Sequence, residues 1–202
     1  MNTNRTWMAL CIILFFLGII SCAPKPVLNI HYDVPGSIKK MEGIKVSIVF
    51  IDQRSDIKFL NKAAKEQLKD FTGKFALLTD PDNKTEAGNF LDVSELFQKT
   101  LHKRLEAMGA TISRKPDEAD ATLTLIVKTF TLNFIDGSWK AKIAYEAQFL
   151  TGDDIRAREE ISGSAERIKI IGTDGADKVL SKLFTDTINQ LNLENMLEKA
   201  GL

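Results

Sequence analysis

Histidine and cysteine are scarce in this 202-residue chain, with two of each. His31 and His102 stand far apart, and neither has carboxylates nearby at metal-ligand spacing. The residues therefore offer no catalytic centre, no metal site and no cofactor site, and both histidines read as solvated side chains. An excess of either charge is also missing: Lys+Arg and Asp+Glu both number 27. That balance gives no electrostatic reason to expect a nucleic-acid partner. No apolar run reaches the roughly 20 residues that span a bilayer as a helix. Internal repeats and low-complexity tracts are absent too. What remains has an ordinary globular composition, 44% apolar and 27% charged.

The longest apolar run, residues 8–20, follows a short polar start that carries Arg5. That is the layout of an export signal. It ends in Ile19-Ile20-Ser21-Cys22, branched apolar residues, a small residue and then cysteine. This looks like a lipobox, so residues 1–21 are expected to be a cleaved signal peptide and Cys22 the site of lipid attachment. Cys11 would leave with the signal, making Cys22 the sole mature thiol. No disulfide could then form, and the domain would hold together by packing alone. Two or more acyl chains would hold the protein stably on a membrane. Ala23-Pro24-Lys25-Pro26 follows, a semi-rigid extended tether. In enterobacterial lipoproteins an Asp after the cysteine retains the protein at the inner membrane. Ala23 by that resemblance favours the periplasmic face of the outer membrane, with inner-membrane anchoring as the alternative.

Residues 22–43 are expected to be a lipidated tether with a possible edge strand at 27–33, and 44–202 a single periplasmic domain. Residues 44–51 alternate as a strand. Residues 57–89 show no clear pattern beyond a short helix near 63–70 and a strand near 74–79. Asp92 with Glu95 predicts a capping box. From Val93 to Met108 one apolar stripe predicts a helix, with Gly109 as its stop. In 121–134 the apolar phase moves from Leu123, Leu125, Val127 to Phe130, Leu132, Phe134, which predicts a β-bulge. Asp136-Gly137 predicts a hairpin, followed by strands at 139–149 and 155–161. A second amphipathic helix runs over 174–191, capped by Thr173 or Asp174, with a short apolar extension beyond. The expected fold is α+β: an antiparallel sheet of four to six strands with two amphipathic helices packed on one face.

The best site candidate is Asp52-Gln53-Arg54-Ser55-Asp56, because loops at strand ends carry function more often than core positions do. Asp and Arg two apart can equally brace a turn. Gly172-Thr173-Asp174-Gly175 precedes a helix, but its spacing is not that of a phosphate loop and Asp174 opposes an anion.

Val46-Ser47-Ile48 leading into the Asp52–Asp56 stretch, the helix end Arg104-Leu105-Glu106-Ala107-Met108-Gly109-Ala110, and Asp186-Thr187-Ile188 together resemble the YajG-type lipoproteins of Gram-negative bacteria. That family has no established biochemical activity, so the resemblance transfers no catalytic residue. Lipidation together with a small domain that lacks a catalytic constellation points instead to a non-enzymatic envelope protein that binds a protein or glycolipid partner. The alternatives are an accessory lipoprotein of an envelope transport or lipopolysaccharide-assembly system, and a hydrolase of cell-wall or lipid material using the Asp52, Arg54 and Asp56 loop. Labelled palmitate tests the anchor. The protein should take up label and sediment with membranes, and Cys22→Ser should do neither.

Overall fold

The structure, a computed structural model, describes residues 27–36, 40–55, 58–79, 90–169 and 174–202. Cys22, Asp56 and Thr173 lie outside them, as does the signal segment.

The strongest alternation builds the sheet. Strand β5 (Ala121–Ile135) pairs antiparallel with β6 (Ser138–Thr151), and β6 with β7 (Asp154–Ile168). The β5–β6 turn is Asp136-Gly137, with φ of 51° and 76°, the left-handed pair that a two-residue hairpin needs. The bulge falls where the apolar phase moves: the register shifts between Val127 and Thr129. That one extra residue lets Leu123, Leu125 and Val127 share a buried face with Phe130 and Leu132. The last strand runs to Ile168, well beyond the expected 161.

The sheet is mixed rather than wholly antiparallel. Its order is β4-β2-β5-β6-β7, and β2 (Lys45–Asp52) runs parallel to both β5 and β4 (Thr111–Ser113). The reason lies in the connection. Between β2 and β5 the chain makes α1 (Lys62–Gln67), β3 (Phe75–Leu78) and α2 (Val93–Ala107). A crossover of that length returns a strand parallel, where a tight turn would reverse it.

The segment expected to hold a possible edge strand at 27–33 does form a strand. Strand β1 (Leu28–His31) pairs parallel with β3, in a two-stranded sheet apart from the main one. Leu28, Ile30, Tyr32 and Met41 are buried. These residues belong to the core, because α3 (Asp174–Gln190) binds their backbone. Ser181 Oγ donates to the Asn29 carbonyl at 3.0 Å and accepts from the His31 N–H at 3.1 Å. Thr185 donates to the His31 carbonyl at 2.9 Å.

Helices α2 and α3 lie on the same face of the main sheet. The α2 start shows both halves of its capping box: Glu95 N donates to Asp92, and Asp92 N to Glu95. Its Phe97 is fully buried and meets Phe50, Phe130, Tyr145 and Phe184, with ring centroids 5.0 to 6.1 Å away. Helix α3 comes close to β7 at Gly163, where a Cβ would stand 2.9 Å from both Leu183 Cδ1 and Thr187 Cγ2. Helix α4 (Leu193–Ala200) follows as the apolar extension.

Arg104 joins the two long helices. Its Nη1 donates to the Ile188 carbonyl and its Nη2 to that of Leu191, 2.7 Å away, at the C-terminal end of α3. A cation there meets both unsatisfied carbonyls and the negative end of the helix dipole. Burial holds the Arg104 pKa below its ordinary value, and burial pushes the Tyr32 hydroxyl up to about 12. Tyr145 is raised too, for the same reason, and donates to the Thr187 carbonyl at 2.7 Å. Replacing Arg104 by Ala should lower the unfolding free energy by about 3 kcal/mol, because it strands buried carbonyls as well as losing charged hydrogen bonds. Urea unfolding measures this, and Arg104→Lys should recover only part of the loss, since one ammonium cannot span both carbonyls.

Candidate functional site

Period-two alternation places Val46, Ile48, Phe50 and Asp52 of β2 on the helix-covered side. Asp52 is the last residue of the strand, opposite Val127, and Gln53 N extends the ladder with a bond to the Val127 carbonyl at 2.9 Å. The chain then turns, and Arg54 folds back on Asp52. Its Nε donates to Oδ1 at 2.8 Å and its Nη2 to Oδ2 at 2.6 Å, and the Arg54 N–H adds a third bond at 3.2 Å. The Arg54 side chain is only 8% exposed, against 40% for Asp52. Hydrogen bonding to Arg54 holds the Asp52 pKa below its ordinary value. Gln53 and Ser55 are exposed. Four of the five expected loop residues therefore lie in the described part, and two of them form one fork.

The fork stands at the lip of an open cleft of about 500 Å³. Phe50, Phe59 and Phe75 make its apolar wall, and Asp92, Val93 and Ser94 bring the start of α2 to it. The phenylalanines are held by their neighbours: Phe59 stacks on Phe130 at 5.3 Å and meets Phe75 edge-on at 5.3 Å. Phe59, Gly73 and Phe75 come from the stretch where the sequence shows least pattern. The sequence offers a strand near 74–79, which holds Phe75, but nothing that brings Phe59 to it.

The polar groups around the cleft are already engaged. Asp52 gives both oxygens to Arg54, and Asp92 caps α2. Ser94 Oγ accepts from Gln98 at 3.1 Å. A carboxylate so occupied, with its pKa lowered, is a weak general base. The described cleft also contains no histidine or cysteine. The geometry provides no support for a hydrolase using Asp52 and Arg54. Of the histidines, His102 lies on α2 beside a different groove, 3.2 Å from Glu106, and His31 is exposed on β1. A third cavity, about 250 Å³, adjoins Arg104, whose guanidinium is taken up by the end of α3.

The α+β class is shown by this architecture, and comparison with solved structures agrees. The chain is similar to a Xanthomonas campestris protein of family DUF330, with TM-score 0.51 and 11% identity, covering 82% of this chain and 91% of that one. The likeness at that identity is one of fold. Weaker matches include the PelC dodecamer protein from Paraburkholderia phytofirmans, at TM-score 0.35 and 10% identity over 75% of this chain and 92% of that one. A lipoprotein from Neisseria meningitidis matches at TM-score 0.28 and 13% identity, over 73% and 97%. No family model matches the chain, and no curated protein does.

The fork carries a pH signature. A depressed carboxylate pKa contributes stability above its unfolded value, about 3.9, and that contribution is lost as pH falls through the folded value. Asp52 is well exposed, so screening limits the effect to about 1 kcal/mol or less. Asp52→Asn should therefore be slightly less stable than the parent at pH 7, and the gap should close below the ordinary carboxylate range. Urea midpoints at the two pH values check it.

Proposed function

We propose that the protein is a non-enzymatic lipoprotein of the bacterial cell envelope, anchored through Cys22, that holds a partner protein in the cleft beside Asp52 and Arg54. The observation that carries the reading is the cleft itself: an open apolar wall of three phenylalanines with a self-satisfied ion pair at its lip. Such a wall fits an apolar side chain of a partner, and the fork offers polar contacts at the rim. A glycolipid head, rich in hydroxyls, would call for unengaged polar groups, and the described cleft has few. The position of Ala23 favours the periplasmic face of the outer membrane. Membership of the YajG-type family belongs to the same proposal; the fold likeness is compatible with it.

A photocrosslinking residue at Ser94 tests the cleft in living cells. It should yield a discrete adduct with an envelope protein, and the same residue at Arg158, on the uncovered face of the sheet, should not. Filling the cleft with Phe50→Trp should remove the adduct while leaving the unfolding free energy, measured in urea, within about 1.5 kcal/mol of the parent, the usual cost of a modest core change. Equal adducts from both positions, or none from Ser94, would count against this reading.

A further inference from the structure

We propose that the β5–β6 hairpin end of the domain rests on the bilayer, with Ile135 and Ile168 in the headgroup layer. The inference rests on anchoring at Cys22, and adds the orientation of the domain.

The first argument is reach. Five residue steps separate Cys22 from Val27, and a fully extended chain covers at most about 18 Å in five steps. Whatever part of the domain holds Val27 must therefore stand close to the lipid. Strand β1 runs alongside α3 in the same direction: Asn29 meets Ser181, His31 meets Thr185, and Tyr32 donates to Asn189. The chain before Leu28 therefore points to the start of α3. That start lies at Trp139, since a Cβ on Gly175 would fall 2.7 Å from its ring. Trp139 is one residue past the row formed by Ile135, Ser138 and Ile168, next to the Asp136-Gly137 turn. The point of entry and the hairpin share one end of the molecule.

The second argument is surface chemistry. Ile168 is 70% exposed and Ile135 41%, side by side across Ser138. Lys62, Lys140, Arg167 and Lys169 lie at this end of the sheet, against the acids Asp136, Glu166, which pairs with Lys140 at 3.5 Å, and Asp177 in the first turn of α3. Lys62 follows Asn61, which binds Asn133 and Phe134 next to the row. Neither Lys62 nor Arg167 has an acidic partner among the described residues. Exposed apolar residues inside a basic margin suit an anionic lipid surface. The opposite hairpin, between β6 and β7, exposes Ile155 as well, but Asp153 and Asp154 precede it and Arg156, which pairs with Asp154 at 3.0 Å, follows, so that end carries no basic excess. The basic excess lies at the end that reach selects.

Full-length lipidated protein provides the test, because its lipid blocks the Cys22 thiol and any introduced cysteine is then the only free one. Glu166→Cys at the proposed contact and Asp153→Cys at the opposite hairpin are labelled with a fluorophore. They are reconstituted into vesicles of phosphatidylcholine and phosphatidylglycerol containing a nitroxide-lipid quencher. Quenching should be several-fold stronger at position 166 than at 153, and Ile135→Ser with Ile168→Ser should reduce it. Equal quenching, or the reverse order, overturns the inference. Palmitate uptake is measured on the same preparations. No uptake overturns the anchor and the orientation together, whereas uptake with an unquenched label at 166 overturns the orientation alone.

Discussion

The guanidinium of Arg104 is the contact on which the two-helix layer depends. It is 9% exposed and reaches from α2 to two carbonyls at the end of α3. Without it, the last turn of α3 would bury carbonyls with no donor, a cost comparable to several ordinary hydrogen bonds. Among the described residues no carboxylate forms an ion pair with it, and the helix end, with the more distant Glu159 carboxylate, offsets its charge. Tyr145 and Tyr32 add two hydroxyl bonds to the same stretch of α3, at Thr187 and Asn189. One helix end is thus tied to the sheet, to the other long helix and to β1. The position of β1 follows, and through it the place where the chain enters the domain.

This arrangement makes α3 a shared strut. Its apolar stripe covers β6 and β7, while Ser181 and Thr185 on its flank satisfy the backbone of β1. A four-residue parallel strand pair has little independent stability. Here the pair β1–β3 survives because α3 on one side and Phe75 on the other leave its backbone little alternative. Phe75 also lines the cleft, so the same small sheet links the entry of the chain to the candidate binding wall.

The elements legible in the sequence are those whose information is local. The capping box at Asp92 and Glu95, the alternation of β5 and β6, and the phase change at Val127 are all written within a few residues. Each forms as its pattern implies. The parallel placement of β2 beside β5 is different, because it depends on a connection of nearly seventy residues and on nothing in either strand. β1 is too short to show a period that separates a tether from a core strand. Arg104 did leave a signal: it falls on the buried stripe of α2, with Leu101 and Leu105, and a charge there demands a partner. The partner, a pair of main-chain carbonyls more than eighty residues away, has no sequence signature. The cleft has the same difficulty. Asp52 and Arg54 were visible as a strand-end pair, but Phe59 and Phe75 join them only through tertiary packing.

The long hairpin strands give the domain a rigid axis, and the axis has two unlike ends. Asp52 is level with Val127, and Phe59 is tied to Leu132 through a 2.7 Å backbone bond. At about 3.3 Å per residue, the Leu132 level stands roughly 13 Å and the Val127 level roughly 30 Å from the Asp136-Gly137 turn. A domain standing on that turn would hold the Asp52–Arg54 end of its cleft well above the headgroups, with the Phe59 and Phe75 end nearer to them. A domain lying on its flank would press the cleft against lipid, and its phenylalanine wall would then act as part of the anchor. The Asp52–Arg54 fork argues for the upright case. A desolvated ion pair at a lipid surface loses its hydration with no new partner in return, whereas at a wet protein interface its remaining lone pairs can accept hydrogen bonds. The short tether, the basic hairpin and the apolar cleft are therefore consistent with one geometry, in which lipid and partner are met at different heights on the same sheet.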